Sequence, residues 1–258
     1  MKVRLDKLML QRSLVPSRER AQGLILAGRV LVDEQKITKA GTAVEEEAAL
    51  RILGNDLPFV SRGGLKLRGA LDQWNIDLTG RCCVDVGAST GGFTDCMLQA
   101  GARAVVAVDT GFGQMAVPLR DDPRLRLLER TNARLLQAGA LQREADAAFG
   151  QAGGGLTFFA MDVSFISATL VIPAVLHALV AEGERWSGEG VVLVKPQFEA
   201  GREWVGKGGI VRDPAAHALA VERVRAVVGD IHGTTVDVQE SPITGAEGNR
   251  EFLLYCRF

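Results

Sequence analysis

The sequence predicts an α/β protein: a mostly parallel, seven-stranded sheet with an antiparallel last strand, preceded by a small N-terminal α+β domain. Three observations predict this fold. Beyond residue 60, apolar strand-like runs alternate with helix-like stretches, the pattern of a parallel sheet covered on both faces. A glycine-rich turn follows the first of these runs. Residues 1–44 carry a net charge of +5 and the remaining 214 residues carry −6, out of a chain total of −1.

The composition is that of a globular protein, with 47% apolar and 24% charged residues in a chain of 258. Cys82 and Cys83 are adjacent while Cys96 and Cys256 stand alone, which gives neither a disulfide framework nor a C-x-x-C pair. We therefore expect buried free thiols in a reducing cytosol and, because the three histidines are scattered, no metal site. The charged, amphipathic N-terminus predicts a cytoplasmic protein without a signal peptide.

The basic N-terminal segment, residues 1–44, is called the basic head and contains two predicted helices and a short strand. The stretch "RLDKLMLQR" is predicted to form a helix that has Leu5, Leu8 and Met9 on one face. Ser17 is the predicted N-cap of the second helix and Gly28 its C-terminal stop, with a strand at 30–32. The outward basic side chains predict either a compact RNA-binding surface or a solvated face without a partner. The candidate RNA-binding residues are Arg4, Lys7, Arg12, Arg18, Arg20 and Arg29.

A linker is predicted in "LGNDLPFV", where loop-forming residues break any periodicity. It divides the chain into a domain at 1–53, a linker at 54–60 and a domain at 61–258. Strands of the second domain are predicted at 82–86, 104–108, 125–128, 156–161, 190–194, 235–239 and 252–257. Helices are predicted at 64–74, 92–100, 169–181 and 214–228.

Two features refine these elements. The last helix has Asp213 as N-cap, Pro214 at its first position and Gly229 after its end. The final two strands lie too close in sequence for a helical crossover, so we expect the last strand to be antiparallel.

The apolar stretch at 156–181 is long enough to resemble a membrane span. Because Asp162 and other polar residues interrupt it, a buried strand, a polar turn and a core helix explain it better, and no membrane partner is expected.

The glycine-rich turn lies in "CVDVGASTGGFTDC", residues 83–96. It lacks the second glycine of the G-x-G-x-x-G dinucleotide fingerprint and the Gly-Lys-Ser/Thr of a Walker loop. The next strand, "AVVAVDT", ends in Asp109, whose carboxylate can accept both ribose hydroxyls of an adenosine or simply cap a loop. The stretch "LLERTNAR" offers Thr131 and Asn132 to an adenine edge. These features favour S-adenosylmethionine over NAD as the cofactor.

Two lysines and two carboxylates are candidates for the chemistry. Lys195 ends the strand "GVVLVKPQF" and Asp162 ends "FFAMDVSF", so both are expected at the sheet edge that holds the cofactor. Lys66 lies in "SRGGLKLRGAL" and Glu251 in "SPITGAEGNREFLLYC". An amine beside a second ammonium group gives up its proton more readily, and could then accept the proton of a ribose hydroxyl while the carboxylates orient the pair. In-line alignment contributes up to roughly 7–11 kcal/mol to such a transfer.

Motifs along essentially the whole chain resemble those of a known family. They are "VSRGGLKL", "DVGASTGGFT", "LERTNAR", "DVSFIS", "LVKPQFE" and "GNREFLLY". Together they resemble the TlyA family, once called hemolysin A, within the FtsJ-like RNA 2′-O-methyltransferases. The basic head, above all "SRERAQGLILAGRVLVD", resembles the αL RNA-binding module first seen in a small-subunit ribosomal protein. The resemblance implies a Rossmann-like class I methyltransferase fold and S-adenosylmethionine as cofactor.

The resemblance also implies site residues and a substrate. A catalytic tetrad falls on Lys66, Asp162, Lys195 and Glu251. The cofactor site falls on Gly87, Ala88, Ser89, Gly91, Gly92, Phe93, Asp109, Thr131, Asn132 and Asp162. The implied reaction is methylation of a cytidine 2′-hydroxyl in ribosomal RNA, alone or in an assembled subunit. Because the chain stops directly after its last strand, like the shorter members, we expect large-subunit 23S RNA to be the substrate, with 16S RNA as a second candidate.

Two departures and three competing functions complete the interpretation. The family's linker can carry Arg-x-Trp-Val, whereas this chain has Leu57-Pro58-Phe59-Val60. The basic, glycine-rich loop at 200–213 is either an RNA-facing lid or a plain surface loop. A pseudouridine synthase would need a catalytic Gly-Arg-Leu-Asp context, which the chain lacks. An RNA-binding protein with an inactive methyltransferase fold and a membrane-active hemolysin are the two remaining competitors.

Overall fold

The computed structural model describes residues 2–12, 14–15, 17–53, 57–150, 155–245 and 247–258. The chain divides into two compact units, Met1–Leu57 and Pro58–Phe258. Their boundary lies inside the predicted linker, of which residues 54–56 are outside the described part. The domain limits at 53 and 61 therefore stay predictions.

The first unit combines two helices with short strands. The predicted caps of the second helix are confirmed: the Ser17 hydroxyl accepts a hydrogen bond from the Arg20 amide at 3.2 Å, and Gly28 has a left-handed φ of +66°. Strand β1 pairs antiparallel with β4, and β3, β2 and β5 form an antiparallel sheet. The elements are β1 (Lys2–Arg4), α1 (Leu5–Gln11), α2 (Arg18–Leu26), β2 (Val30–Val32), β3 (Gln35–Ile37), β4 (Ala43–Glu45) and β5 (Leu50–Ile52).

The second unit is a doubly wound sheet. Within the described residues, seven strands lie in the order β11-β12-β10-β9-β6-β7-β8. Strand β12 is antiparallel to both of its neighbours, and the other paired strands are parallel. The strands are β6 (Cys82–Val86), β7 (Ala104–Val108), β8 (Leu125–Leu128), β9 (Leu156–Met161), β10 (Glu189–Val194), β11 (Thr234–Glu240) and β12 (Phe252–Arg257). The helices are α3 (Gly63–Trp74), α4 (Gly92–Gln99), α5 (Val117–Arg120), α6 (Ala140–Phe149), α7 (Ala168–Leu179), α8 (Pro196–Glu199) and α9 (Pro214–Asp230).

The predicted fold class is confirmed, including the antiparallel last strand. Each of the seven strands begins and ends within one residue of its predicted limits. The expected helix stop at Gly229 is wrong, because α9 continues to Asp230. His232 carries the left-handed φ of +64°, and the Gly233 amide donates back to the Val228 carbonyl at 2.8 Å. Helix α6 was not predicted at all.

Both faces of the sheet are covered, which positions the site. Helices α6, α7 and α9 pack against one face, and α3, α4 and α5 pack against the other. The strand β6 is buried along its whole length, as expected for a central parallel strand. Since the two faces are closed by helices, the accessible edge is the one at the carboxyl ends of the parallel strands.

Two further expectations concern buried segments. The apolar stretch at 156–181 divides, as predicted, into a strand and a helix joined by a turn. Among the described residues, no helix is both long enough and apolar enough to cross a membrane. The four cysteines are buried free thiols, as expected. Burial raises the pKa of Cys83, Cys96 and Cys256 to about 12, which keeps these thiols protonated.

Candidate active site

The ends of four neighbouring strands supply the predicted site. Strand β6 ends in the glycine-rich turn, β7 in Asp109, β9 in Asp162 and β10 in Lys195. These strands are adjacent in the sheet, in the order β10-β9-β6-β7. Backbone hydrogen bonds continue past the strand ends, from the Asp162 amide to the Val86 carbonyl at 2.8 Å and from the Gly87 amide to the Val108 carbonyl at 2.9 Å. The side chains that follow are therefore fixed relative to one another.

The glycine-rich turn needs glycine at its first position. Gly87 has a left-handed φ of +86°, and a Cβ atom there would lie 2.5 Å from the Asp162 carbonyl oxygen. The close approach brings the turn against the end of β9. Ser89 also has a positive φ, +47°, and its amide donates to Asp109 Oδ2 at 2.8 Å. The turn is therefore tied to the ends of both flanking strands.

The first cavity, of about 370 Å³, lies between the turn and the ends of β7 and β8. Asp109 lines it and accepts the amides of Ser89 and Gly111, at 2.8 and 2.6 Å. Thr131 donates its hydroxyl to the Glu129 carbonyl at 3.0 Å. Asn132 Oδ1 accepts the Arg134 amide at 3.0 Å, which leaves the Nδ2 amino group as the donor that Asn132 can offer to a ligand.

The second cavity, of about 380 Å³, adjoins the first and shares Gly87, Ser89, Asp162 and Ser164 with it. Lys195 is 8% exposed and lines this cavity. Its ammonium nitrogen lies 2.6 Å from Asp162 Oδ1 and donates to Ser164 Oγ at 2.6 Å. One lysine is thus held between a carboxylate and a hydroxyl. The remaining predicted cofactor residues Ala88, Gly91, Gly92 and Phe93 lie along the turn and the first turn of α4.

The second lysine has its own carboxylate. Lys66, on α3, donates to Glu251 Oε2 at 2.6 Å, and the two side chains are almost fully buried. Lys66 and Lys195 both line the second cavity, and together with Glu251 they line a third cavity of about 340 Å³. The structure therefore brings the four side chains of the predicted tetrad to adjoining cavities, arranged as two ion pairs.

Sequence reasoning missed Asp85, a fully buried aspartate beneath the glycine turn. The Thr94 hydroxyl donates to its Oδ2 at 2.6 Å, and Oδ1 has no hydrogen-bond partner within the described residues. Burial raises the pKa of Asp85 to about 7, the nearby carboxylates of Asp162 and Asp109 add to this, and the Thr94 bond opposes it. The available signal was an aspartate inside an apolar strand, two residues before the first glycine.

Ser164 was also missed, although it stands in the quoted motif "DVSFIS". Its role depends on the contact with Lys195, which the strand pattern does not show. Within the described part of the chain, no group of three or more His, Cys, Asp or Glu residues is arranged to hold a metal ion.

The basic residues of the first unit are organised around a buried aspartate. Asp6 is fully buried and accepts hydrogen bonds from Arg4, Arg18 and Gln22 at 2.9–3.1 Å. These bonds, led by that from Arg4, hold the pKa of the Asp6 carboxyl well below its usual range. One carboxylate therefore keeps two of the predicted RNA-binding arginines side by side.

The other predicted RNA-binding residues are less uniform. Lys7 and Arg12 are exposed, while Arg20 and Arg29 are partly buried. Arg12 donates to the Ala48 carbonyl at 2.7 Å, and Arg29 donates to the Leu53 carbonyl at 2.8 Å. Their contact with RNA stays a prediction.

Comparison with known proteins agrees with this geometry. Residues 59–258 match the family of FtsJ-like methyltransferases, and residues 3–50 match the S4 domain. The chain is 41% identical over 257 residues to the Mycobacterium tuberculosis protein named 16S/23S rRNA (cytidine-2′-O)-methyltransferase TlyA, covering 99% of this chain and 90% of that protein. It is 36% identical to Hemolysin A of Brachyspira hyodysenteriae, covering 98% and 99%. A solved structure from Streptococcus thermophilus is 39% identical, covers 99% of this chain and 88% of that one, and superposes with a TM-score of 0.71.

Proposed function

The chain belongs to the family of FtsJ-like methyltransferases, and we propose that it transfers a methyl group from S-adenosylmethionine to the 2′-hydroxyl of a cytidine in ribosomal RNA. The observation that carries this proposal is the pair of lysine–carboxylate contacts on the walls of cavities that adjoin the glycine turn. The S4 domain supports RNA as the partner. The name of the Mycobacterium tuberculosis relative supports cytidine as the nucleoside.

The residues around the first two cavities fit S-adenosylmethionine. Because Gly87 has no side chain, the turn packs directly against the end of β9, and its backbone lies on the wall of both cavities, where a ligand can approach it. Asp109 would accept the ribose hydroxyls, and Asn132 would donate to the adenine edge from Nδ2. Asp162 lines both cavities, so its carboxylate would face a ligand that carries a sulfonium. When bound, S-adenosylmethionine supplies a sulfonium-activated methyl group, which bonds to the ribose oxygen as its bond to sulfur breaks and the electron pair stays on sulfur.

The two lysines would position and deprotonate the ribose hydroxyl. An ammonium group has three hydrogen-bond donors. Lys195 donates to Ser164 and lies beside Asp162, whose Oδ1 has no hydrogen-bond partner within the described residues, so an ammonium hydrogen of Lys195 is available to a substrate oxygen. Glu251 occupies one direction around Lys66 and leaves two. We propose that one lysine, after losing a proton to solvent, accepts the hydroxyl proton as a neutral amine, while the second lysine orients the ribose and the carboxylates orient the two lysines.

The finer choice of substrate lies between two ribosomal RNAs. The name of the Mycobacterium tuberculosis relative includes both 16S and 23S RNA. We propose 23S RNA as the principal substrate, presented either free or in a large subunit, with recognition assisted by the basic residues around Asp6. We place the reaction in the cytoplasm, where ribosomal subunits are found.

The test is transfer of tritium from labelled S-adenosylmethionine to separated, unmodified large and small ribosomal subunits. Wild-type protein is compared with Lys195→Ala, and cofactor binding is measured for both. The proposal expects label on the large subunit, and loss of that label with cofactor binding retained in the variant. Label on neither subunit, with cofactor binding intact in the wild type, would contradict it and favour an RNA-binding protein with an inactive methyltransferase fold.

A further inference from the structure

Glu199 is a buried carboxylate that the proposed reaction does not use. It is the last residue of α8, a single helical turn whose N-cap is Lys195. The side chain is 5% exposed and does not line the cavities described above. Burial raises the pKa of Glu199, while hydrogen bonds from Ser167 and Ala168 oppose the increase. A carboxylate kept in such surroundings needs its hydrogen-bond partners.

Those partners lie at the start of α7. Glu199 Oε1 accepts the Ala168 amide at 2.7 Å, and Oε2 accepts the Ser167 hydroxyl. Ser167 is the N-cap of α7, and its Oγ also accepts the Thr169 amide at 3.2 Å. Glu199 therefore fixes the start of α7, where the loop that begins at Asp162 ends.

Two short segments are consequently joined at both ends. One runs from Asp162 to Ser167 and the other from Lys195 to Glu199. At the cavity end, Lys195 contacts Asp162 and Ser164. At the far end, Glu199 holds Ser167 and Ala168. Between these ends the rings of Phe165 and Phe198 pack together, with centroids 5.7 Å apart.

The second segment, residues 195–199, also contacts helix α9. Arg223 of α9 donates to the Glu199 backbone carbonyl at 2.5 Å. Helix α9 packs against α8, and α7 packs against α9. Glu199 therefore connects the loop at residues 162–167 to a segment that is bonded to the long helix α9.

The loop needs such a connection because it contains an unfavourable backbone conformation. Phe165 is 92% exposed and has a left-handed φ of +64°. A non-glycine residue in this region costs roughly 1–3 kcal/mol and persists only where its surroundings enforce it. The exposed ring alone does not enforce it, whereas fixed positions for Asp162 and Ser167 on either side do.

We propose that Glu199 is a positioning residue for methyl transfer: by holding Ser167 and Ala168, it keeps Asp162 and Ser164 in place around the ammonium group of Lys195. Its kinetic consequence rests on the proposed function. A displacement of about 1 Å at reacting groups can cost on the order of 10²-fold in rate. Loss of the Glu199 contacts therefore lowers turnover without removing any group that touches substrate or cofactor.

The variants for the test are Glu199→Gln, Ser167→Ala and the double variant. Glutamine keeps the length of the side chain but loses one of the two acceptors. The matched control is Glu189→Gln, at the other end of β10, where the carboxylate accepts hydrogen bonds from Arg81 and Arg257 at 2.7 and 3.1 Å. This control removes a partly buried carboxylate at the start of β10 without touching the segments at residues 162–167 and 195–199.

We expect each single variant to lower kcat about tenfold, with KM for RNA and the cofactor Kd within about twofold of wild type. The double variant is expected to be no slower than the slower single variant, because both changes break the same contact. Glu189→Gln is expected to lower thermal stability but leave kcat unchanged. Equal losses of kcat in Glu189→Gln and Glu199→Gln would overturn the proposal.

A second measurement does not depend on turnover. Trace acetylation with acetic anhydride, read by mass spectrometry, reports the reactivity of Lys195 relative to the exposed Lys7. Release of Lys195 from Asp162 and Ser164 is expected to raise this ratio at least about threefold in Glu199→Gln and not in Glu189→Gln. An unchanged ratio in Glu199→Gln overturns the positioning role. This holds even if the wild-type protein methylates no RNA, a result that would refute the proposed function alone.

Discussion

At the scale of single residues, the site consists of two lysine–carboxylate ion pairs that are largely buried. Lys66, Lys195 and Glu251 are almost completely buried. A buried ion pair contributes little net stability, but removing one partner leaves the other uncompensated. A single substitution in either pair would therefore combine two effects, loss of chemistry and loss of stability. Substituting the partner as well separates them.

The pair of Lys66 and Glu251 gives the first prediction. Glu251→Leu is expected to lower the free energy of unfolding by roughly 3–5 kcal/mol, because the buried Lys66 ammonium loses its partner. Adding Lys66→Met is expected to restore most of this stability without restoring methyl transfer. Urea denaturation and the tritium assay measure the two effects. A double variant as unstable as Glu251→Leu would contradict the prediction.

Asp85 gives the second prediction, through its raised pKa. The buried carboxyl stabilises the fold while it is protonated, so this contribution is present below about pH 4 and is lost as the pH rises through about 7. The amide of the Asp85→Asn variant stays neutral throughout. Between about pH 5 and pH 8, we expect the unfolding free energy of the wild type to fall by roughly 2 kcal/mol relative to the variant. Parallel pH curves from denaturant titrations would show that Asp85 does not titrate in this range.

At the scale of elements, the turn between β6 and α4 decides where a ligand can lie. Its backbone is fixed on one side by the carbonyl of Asp162 and on the other by the carboxylate of Asp109. A side chain at Gly87 would meet the first of these directly. Position 87 therefore requires glycine for two reasons, namely its left-handed φ and the nearby carbonyl oxygen of Asp162.

Two alanine substitutions separate these requirements. Gly80 has a φ of +73° and no atom within 4 Å of an added Cβ, whereas Gly87 has a similar φ and a carbonyl oxygen at 2.5 Å. Gly80→Ala is expected to cost roughly 1–2 kcal/mol, the effect of the left-handed conformation alone. Gly87→Ala is expected to cost more and to weaken cofactor binding at least about tenfold. Thermal unfolding and calorimetric titration measure both, and equal effects would contradict the steric argument.

The predictability of most elements depended on how many apolar residues they contain. Apart from β11, which has two valines among seven residues, the described strands of the second unit are mostly apolar, so their limits could be predicted. Helix α6 buries Leu141 and Ala145, and its apolar residues Leu141, Ala145, Ala148 and Phe149 recur at helical spacing, so the sequence carried a signal for this helix that the prediction did not use. The three-residue strands β1, β3, β4 and β5 are mostly exposed or half-buried and were not predicted, whereas β2, of equal length, consists of three buried apolar residues and was predicted. The end of α9 depends on His232, a residue that does not usually signal a helix stop.

At the scale of the whole molecule, the basic residues and the chemistry belong to different units. The arginines held by Asp6 lie in the first unit, while every residue of the two lysine–carboxylate pairs lies in the second. RNA affinity and cofactor affinity should therefore respond to different substitutions.

The variant Arg18→Ala tests this separation. Arg18 is held by Asp6 at 2.9 Å and would contact a phosphate. Its loss is expected to lower RNA affinity about tenfold and to reduce the dependence of log affinity on log salt by about 1, as for loss of one phosphate contact. The cofactor Kd is expected to stay unchanged. Arg185→Ala, which removes an exposed arginine at the amino end of β10, serves as the control. A similar loss of RNA affinity in both variants would contradict a specific role for Arg18.

The sequence predicted the place of a site residue only where that residue directly follows a strand. Asp109, Asp162 and Lys195 follow buried strands, so their place at one sheet edge could be inferred. The contact between Lys66 and Glu251 joins residues 185 positions apart and depends on how α3 packs beside β12. The division of the tetrad into two pairs and the burial of Asp85 depend on three-dimensional packing, which no local pattern specifies.

The central claim is that two lysine–carboxylate pairs act on a ribose hydroxyl. Nucleoside analysis by mass spectrometry of ribosomal RNA methylated by this protein tests it most directly. The account predicts that the added methyl group is recovered in 2′-O-methylcytidine, and that Lys66→Ala and Lys195→Ala both abolish it while binding the cofactor normally. Recovery of the methyl group in a base-methylated nucleoside, or undiminished methylation by either variant, would contradict the account.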